Sequence, residues 1–183
     1  MGSFKVYGLK LEFSSTPDLF SPKALDQGTA LLLNNLPGFD YASALDWGCG
    51  WGAIAMWLAK NNPEANVTAI DSDIAAVNAT KENAASNHLS NLSVLPSHGF
   101  SAVPNGEKFD LILSNPPTHR GREVVDNMIK ESKDRLNSHS KLVLVVEARI
   151  KPWVARQMKE VFGNYKILKR SSKHVVLVAQ NEL

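Results

Sequence analysis

The chain has 183 residues, is 44% hydrophobic and 21% charged, and carries a formal net charge of +2, the balance of a globular protein with a sizeable core. No stretch is long and apolar enough to span a membrane, and the start Met1-Gly2-Ser3-Phe4-Lys5 lacks the apolar segment of a signal peptide. A single cysteine excludes an internal disulfide and points to a reducing, cytoplasmic setting, and the five histidines show no metal-ligand spacing, so neither membrane nor metal is expected.

Residues 4–13 alternate around Gly8 and predict a hairpin outside the main sheet. Residues 14–22, rich in serine and proline, predict a loop. A helix is expected over 23–35, with Leu25, Leu31, Leu32 and Leu36 as its apolar positions. Gly28 inside it costs about 1 kcal/mol relative to alanine, a cost that a close approach to another group such as a cofactor, or equally a simple helix contact, would explain. Pro37-Gly38 breaks the chain, and strands then alternate with helices. Strand 43–46 leads to helix 52–61. Strand 66–71 leads to helix 73–88, with a stripe of Ile74, Val77, Ala84, Ala85 and Leu89. A short strand covers 92–95. Strand 109–114 leads to helix 121–136, with Val125, Met128, Ile129 and Leu136 inward. Strand 141–147 precedes helix 152–162, which carries Trp153, Val154, Met158 and Phe162. The runs 165–169 and 174–179 are joined by so short a turn that they must be antiparallel. The pattern predicts an α/β fold: a Rossmann-like, doubly wound, mostly parallel sheet of seven strands with an antiparallel last strand. An N-terminal hairpin and helix precede it. One domain is expected over 1–183, with the hairpin and helix in 4–40 and the core in 41–183.

The stretch Ala44-Leu45-Asp46-Trp47-Gly48-Cys49-Gly50-Trp51-Gly52 organises the rest. An apolar strand ends in an acid, and a glycine cluster then forms a tight turn into a helix. About twenty residues on, a second strand ends in Asp71, placed to accept the diol of a ribose. Ser72 and Asp73 follow; Asp73 serves equally as a helix cap. Gly48, Gly50 and Ala53 also fit a dinucleotide fingerprint, which suggests a dehydrogenase. Asp46 argues otherwise: a carboxylate there repels a pyrophosphate and attracts an ammonium or sulfonium. Cys49 reads as a small turn residue with no base beside it. Trp47 and Trp51 read as cofactor cover or as packing.

After strand 109–114 stands Asn115-Pro116-Pro117. An exocyclic amine on a base is a weak nucleophile because its lone pair is delocalised into the ring. Two acceptors for its N–H groups would help it become tetrahedral, one from the Asn115 side chain and one from the Pro116 carbonyl, on a backbone stiffened by two prolines. An acceptor is needed there more than a base, so aspartate at 115 is expected to retain activity. Taken alone, the tripeptide is equally well a rigid turn.

The order D-x-G-x-G, then Asn-Pro-Pro after the fourth strand of the core, resembles the class I S-adenosylmethionine (SAM) methyltransferases that act on amino groups. Over about residues 4–180 the chain is most similar to the "small" methyltransferase domain of the ribosomal RNA guanine-N2 methyltransferase family. Leu19-Phe20-Ser21, Leu25-Asp26-Gln27-Gly28 and Leu31-Leu32-Leu33 look like that family's F-S…L-D-x-G…L-L element. In many members this domain is one half of a tandem pair. The resemblance implies SAM as cofactor, held by Phe20, Asp46, Gly48, Cys49, Gly50, Asp71, Ser72, His98, Gly99 and Asn115. It implies catalysis at Asn115, Pro116 and Pro117, with Asp26 to Thr29 bordering cofactor and substrate. RNA, ribosomal by the same likeness, would meet Thr118, His119, Arg120 and Arg122. Lys166, Lys169, Arg170 and Lys173 form a second basic cluster. Two positions depart from the family: Thr118 replaces an aromatic that stacks on the target base, and His98 stands where an acid or amide binds the adenine amino group. Adenine in DNA or RNA, or a protein glutamine, are alternative amine substrates. A non-catalytic SAM- or RNA-binding module is the alternative outside enzymes.

Overall fold

The computed structural model describes residues 2–36, 38–118 and 121–182; Pro37, His119 and Arg120 lie outside the described residues. Among the described residues nine strands and five α-helices follow in order: β1 (Gly2–Val6), β2 (Leu9–Phe13), α1 (Gln27–Leu33), β3 (Ser43–Trp47), α2 (Ala53–Asn61), β4 (Asn66–Asp71), α3 (Ile74–Ser86), β5 (Leu92–Pro96), β6 (Phe109–Ser114), α4 (Arg122–Asp134), β7 (Leu136–Glu147), α5 (Lys151–Phe162), β8 (Lys166–Arg170) and β9 (His174–Gln180). The hairpin β1-β2 forms its own two-stranded sheet, and the other seven strands form one sheet in the order β5-β4-β3-β6-β7-β9-β8. Strands β3 to β7 pair in parallel, while β9 runs antiparallel to both β7 and β8. This is the expected doubly wound sheet with its antiparallel end.

Successive side chains of a strand point to opposite faces, and the apolar runs fill both. Ala44, Leu111, Leu113, Val143 and Val145 face α1, α2 and α3, where Leu32, Leu33, Ile54, Trp57, Leu58 and Val77 meet them. Leu45, Ile112, Leu142, Leu144 and Val146 face α4 and α5, through Val125, Met128, Ile129, Val154, Met158 and Phe162. Helix α2 is buried all round from Ala53 to Ala59, because the hairpin covers the side that the sheet does not. Trp51, at the foot of α2, stacks on Phe13 with ring centroids 4.1 Å apart and meets Phe4 edge-on at 5.7 Å. Trp51 thus packs on the hairpin, and it also lines the cavity at the carboxyl ends of the strands.

Three element boundaries depart from the sequence pattern for local reasons. Helix α1 begins at Gln27, not at residue 23, because Asp26 takes an extended conformation and accepts the Thr29 N–H at 2.9 Å as its N-cap. Helix α4 ends at Asp134, and Leu136 opens β7 opposite Phe109, so this strand starts five residues before the expected Lys141. In α3, Ile74 is 58% exposed, and Ala85 is exposed too. The buried face is instead Ala76, Val77, Thr80, Asn83 and Ala84. Asn83 Nδ2 donates to the carbonyls of Ser14 and Trp51, both at 2.9 Å, and its Oδ1 accepts the Ser14 N–H at 2.7 Å. A hydrophobic stripe cannot reveal a helix face that is buried by polar tethers.

The turn between β3 and α2 is held from below by Asp46. This carboxylate is fully buried; its Oδ2 accepts the Ala55 N–H at 2.9 Å in the first turn of α2, while its Oδ1 has no partner among the described residues. Burial pushes its pKa up from 3.8 to about 7, against the Ala55 hydrogen bond and with a further push from the Asp71 charge. Below about pH 4 folded and unfolded chains both carry this proton. As pH rises from there through about 7, the unfolded chain releases it while the fold retains it, so stability is lost, by about 4 kcal/mol in all. Asn at 46 does not titrate. The melting temperature of Asp46→Asn, relative to wild type, should therefore climb by about 5–10 °C between about pH 5 and pH 7.5. Two parallel pH curves would show that Asp46 is not the titrating group.

Candidate active site

Parallel strands β3, β4 and β5 run to one side of the sheet; the chain then returns to place β6 on the other side of β3. Loops leaving β3 and β6 therefore diverge, and a crevice opens at the carboxyl ends of the strands. A cavity of about 870 Å³ lies there. Its wall takes residues from the loop before α1, from α1 itself, from the turns after β3, β4, β5 and β6, from α4 and from the ends of β7 and β9.

The glycine turn forms one side. Gly48, Gly50 and Gly52 have φ of +78°, +57° and +97°, which L side chains rarely adopt. Gly48 and Cys49 donate N–H bonds to the Ile70 carbonyl at 2.8 and 3.1 Å, stitching the turn to the end of β4. Gly50 N–H donates to Asp71 Oδ2 at 3.0 Å, and Asp73 N–H to Asp71 Oδ1 at 2.9 Å. Each Asp71 oxygen keeps a lone pair for a further donor. Thr80 Oγ1 donates to the Gly50 carbonyl at 2.8 Å, which ties the turn to α3 as well. Cys49 is buried on the cavity wall, and burial pushes its thiol well above the usual range with the Asp46 charge adding to the rise. It is a neutral wall residue.

Asp46 is not on that wall. Expected in contact with the cofactor, it sits behind the turn beneath α2. Gly48, Cys49, Gly50, Asp71, Ser72, His98, Gly99, Asn115 and Phe20 all line the cavity. Phe20 and His98 stand exposed at its rim, Phe20 at 62%. Gly28 resolves differently from a cofactor approach: a Cβ there would lie 3.1 Å from His174 Cδ2, so the glycine lets α1 rest against β9.

On the opposite side, β6 delivers Asn115, Pro116, Pro117 and Thr118 to the wall. The Asn115 Nδ2 donates to Asp26 Oδ2 at 2.9 Å and to Thr29 Oγ1 at 3.0 Å. The Pro116 carbonyl already accepts the Thr118 N–H at 2.8 Å across a tight turn, which leaves it one lone pair. The Thr118 hydroxyl donates to Glu147 Oε1 at 3.2 Å. Glu147 is held below the usual carboxylate range by its bond from Arg149. Arg122 does not reach the wall; its guanidinium lies 5.4 Å over the Trp153 ring. The predicted contacts of His119 and Arg120 fall on residues that are not described.

Sequence patterns missed the contribution of α4. Val124, Asn127, Met128 and Glu131 line the cavity, although the helix reads only as a packing element. A Cβ on Gly99 would fall 2.8 Å from Glu131 Oε2, so this carboxylate reaches across the turn after β5. Among the described residues no cluster of His, Cys, Asp and Glu is arranged to hold a metal, and no helix is long and apolar enough to cross a membrane.

Comparison with known proteins places this geometry. The chain matches the model of the methyltransferase small domain over residues 10–178. It is 35% identical over 172 residues to ribosomal RNA small subunit methyltransferase C of Psychromonas ingrahamii, a match covering 92% of this chain and 48% of the relative. It is 28% identical to the uncharacterized protein YbxB of Bacillus subtilis, covering 97% of this chain and 90% of that one. Among solved structures, the Thermus thermophilus 16S rRNA N2 G1207 methyltransferase (RsmC), in complex with AdoMet and guanosine, superposes with a TM-score of 0.90 at 27% identity, over 98% of this chain and 50% of that chain. The chain thus spans about half the length of the ribosomal RNA methyltransferases it matches and nearly all of YbxB. It belongs to the methyltransferase small-domain family.

Proposed function

We propose that the chain is a SAM-dependent N-methyltransferase of the cytoplasm whose substrate is the exocyclic amino group of a guanine in ribosomal RNA. Residues 1–183 act as one domain, with 4–40 bracing the core of 41–183. The observation that carries this reading is the juxtaposition in one cavity of the glycine turn, Asp71 and the Asn115 amide. The relatives named ribosomal RNA methyltransferases, and the RsmC structure holding AdoMet and guanosine, support the substrate class.

The residues present fit the cofactor. The charge of Asp71 makes the wall by the turn negative, which suits an ammonium and a sulfonium and opposes a pyrophosphate. The free lone pairs of Asp71 suit a ribose diol. Glu131 offers a carboxylate to an adenine amino group where the family has an acid or amide and this chain has His98. When bound, SAM supplies an electrophilic methyl group, which an amine can attack without prior loss of a proton. The chain's own task is then to orient and to accept. Asn115 Oδ1 and the remaining lone pair of the Pro116 carbonyl take hydrogen bonds from the amine, and Pro116 and Pro117 keep the acceptors stiff. Positioning of the nitrogen in line with the departing sulfur supplies the rest of the rate.

Calorimetry should show that SAM and S-adenosylhomocysteine bind and that NADH does not. Asp71→Ala should weaken S-adenosylhomocysteine by about tenfold to a hundredfold, the worth of hydrogen bonds to a charged acceptor. Heat from NADH alone would support a dehydrogenase instead. In single-turnover transfer to ribosomal RNA at saturating SAM, Asn115→Ala should lose about 10²–10³ in rate, as loss of one preorganised hydrogen bond does in comparable sites. A full rate in that variant would remove the loop from the chemistry, and SAM binding without transfer by wild type would favour a non-catalytic module.

A further inference from the structure

An asparagine amide has two orientations of nearly the same shape. One presents its carbonyl oxygen to a neighbour and the other presents its NH2 group. If Asn115 is to accept a hydrogen bond from an incoming amine, only the first serves. The second would set donor against donor. Nothing in the tripeptide Asn-Pro-Pro makes the choice.

The choice is made 89 residues earlier in the chain. Asp26 Oδ2 stands 2.9 Å from Asn115 Nδ2, and Thr29 Oγ1 stands 3.0 Å from the same nitrogen. A carboxylate only accepts, so it admits the NH2 group and rejects the carbonyl oxygen. Asp26 is itself fixed, because the same oxygen accepts the Thr29 N–H at 2.9 Å as the N-cap of α1. Helix α1 is in turn pinned, with Leu32 and Leu33 in the core and Gly28 against His174. Asp26, Thr29 and Asn115 all border the same cavity.

We propose that Asp26, assisted by Thr29, is a positioning residue that locks the Asn115 amide with its carbonyl oxygen toward the substrate amine. The proposal rests on the reading of Asn115 as that amine's acceptor. It also reverses the expectation for aspartate at 115. An Asn115→Asp carboxylate retains an acceptor oxygen yet lies within hydrogen-bond distance of a second carboxylate. Two like charges that close force one to take a proton or the loop to move.

The test is an exchange of the two side chains. Asn115→Asp alone should lose at least about tenfold in single-turnover rate at saturating SAM and RNA, and Asp26→Ala about tenfold or more. The double variant Asp26→Asn/Asn115→Asp again sets one donor against one acceptor, although the amide nitrogen that meets the carboxylate at 115 takes the place of the oxygen that also accepts the Thr29 N–H. It should recover at least about threefold over Asn115→Asp without reaching wild type. Affinity for S-adenosylhomocysteine should change far less than the rate in every variant. An exchange variant no faster than Asn115→Asp, or a wild-type rate in Asp26→Ala, would overturn the proposal. A second readout needs no activity. In 15N-labelled protein the Asn115 side-chain NH2 protons should be protected from solvent exchange and lose that protection in Asp26→Ala/Thr29→Val. If wild type transfers methyl to no RNA, the proposed function fails, while amide protection still decides whether the lock exists: unprotected protons in wild type would refute it.

Discussion

The cavity exists because β3 ends between two strands that leave it in opposite directions, and because the turn that follows is stitched to β4 by two N–H bonds to one carbonyl, that of Ile70. The parallel register sets Trp47 beside Ile70, so the turn after β3 and the acid after β4 rise at the same level. Strand β6, paired with β3 from Ala44 to Asp46, brings Asn115 up on the other flank. The separation of the turn from the Asn-Pro-Pro loop is thus set by sheet pairing. Chemistry that depends on aligning two reactants gains from walls carried on such paired strands.

A second layer keeps the turn in place. Asp46 holds the first turn of α2 from beneath, and α3 holds the glycine turn from the side through Thr80. Asn83 and Asn87 of the same helix region satisfy backbone groups of the hairpin strand β2 and the residue after it. Truncating Asn83 would leave the Ser14 and Trp51 carbonyls and the Ser14 N–H without this partner, and each such orphan costs about 1–3 kcal/mol. The hairpin is therefore part of the support of the turn. It covers α2, which is why that helix is apolar on every side and carries no polar stripe.

Much of this was legible in the residues. The apolar runs at 66–71 and 109–114 coincide with β4 and β6, and the short link before His174 forced the antiparallel end. Asp46, the glycines, Asp71 and Asn115 were visible as a set because strand ends and turn residues carry local signals. What stayed hidden depends on distant partners. Asp26 looks like a mid-helix residue until its capping of Thr29 and its bond to Asn115 are seen. Ile74 has the right residue type and spacing for the core, yet α3 turns Thr80 and Asn83 inward because the hairpin and the turn offer them hydrogen bonds. The charge of Asp46 points it at the cofactor, whereas α2 claims it first through the Ala55 N–H. Glu131 gave no signal, since nothing local ties one acid of α4 to the turn after β5.

On the proposed function, one cavity holds SAM on its glycine side and presents the Asn115 carbonyl to a guanine amine on the other. A crystal structure with S-adenosylhomocysteine and guanosine tests it most directly. The ribose diol should lie on Asp71 and the guanosine exocyclic nitrogen within about 3.2 Å of Asn115 Oδ1, a normal hydrogen bond, with Asn115 Nδ2 still on Asp26. Guanosine bound with its amino group turned away from Asn115, or an Asn115 amide flipped to donate to the ligand, would contradict it.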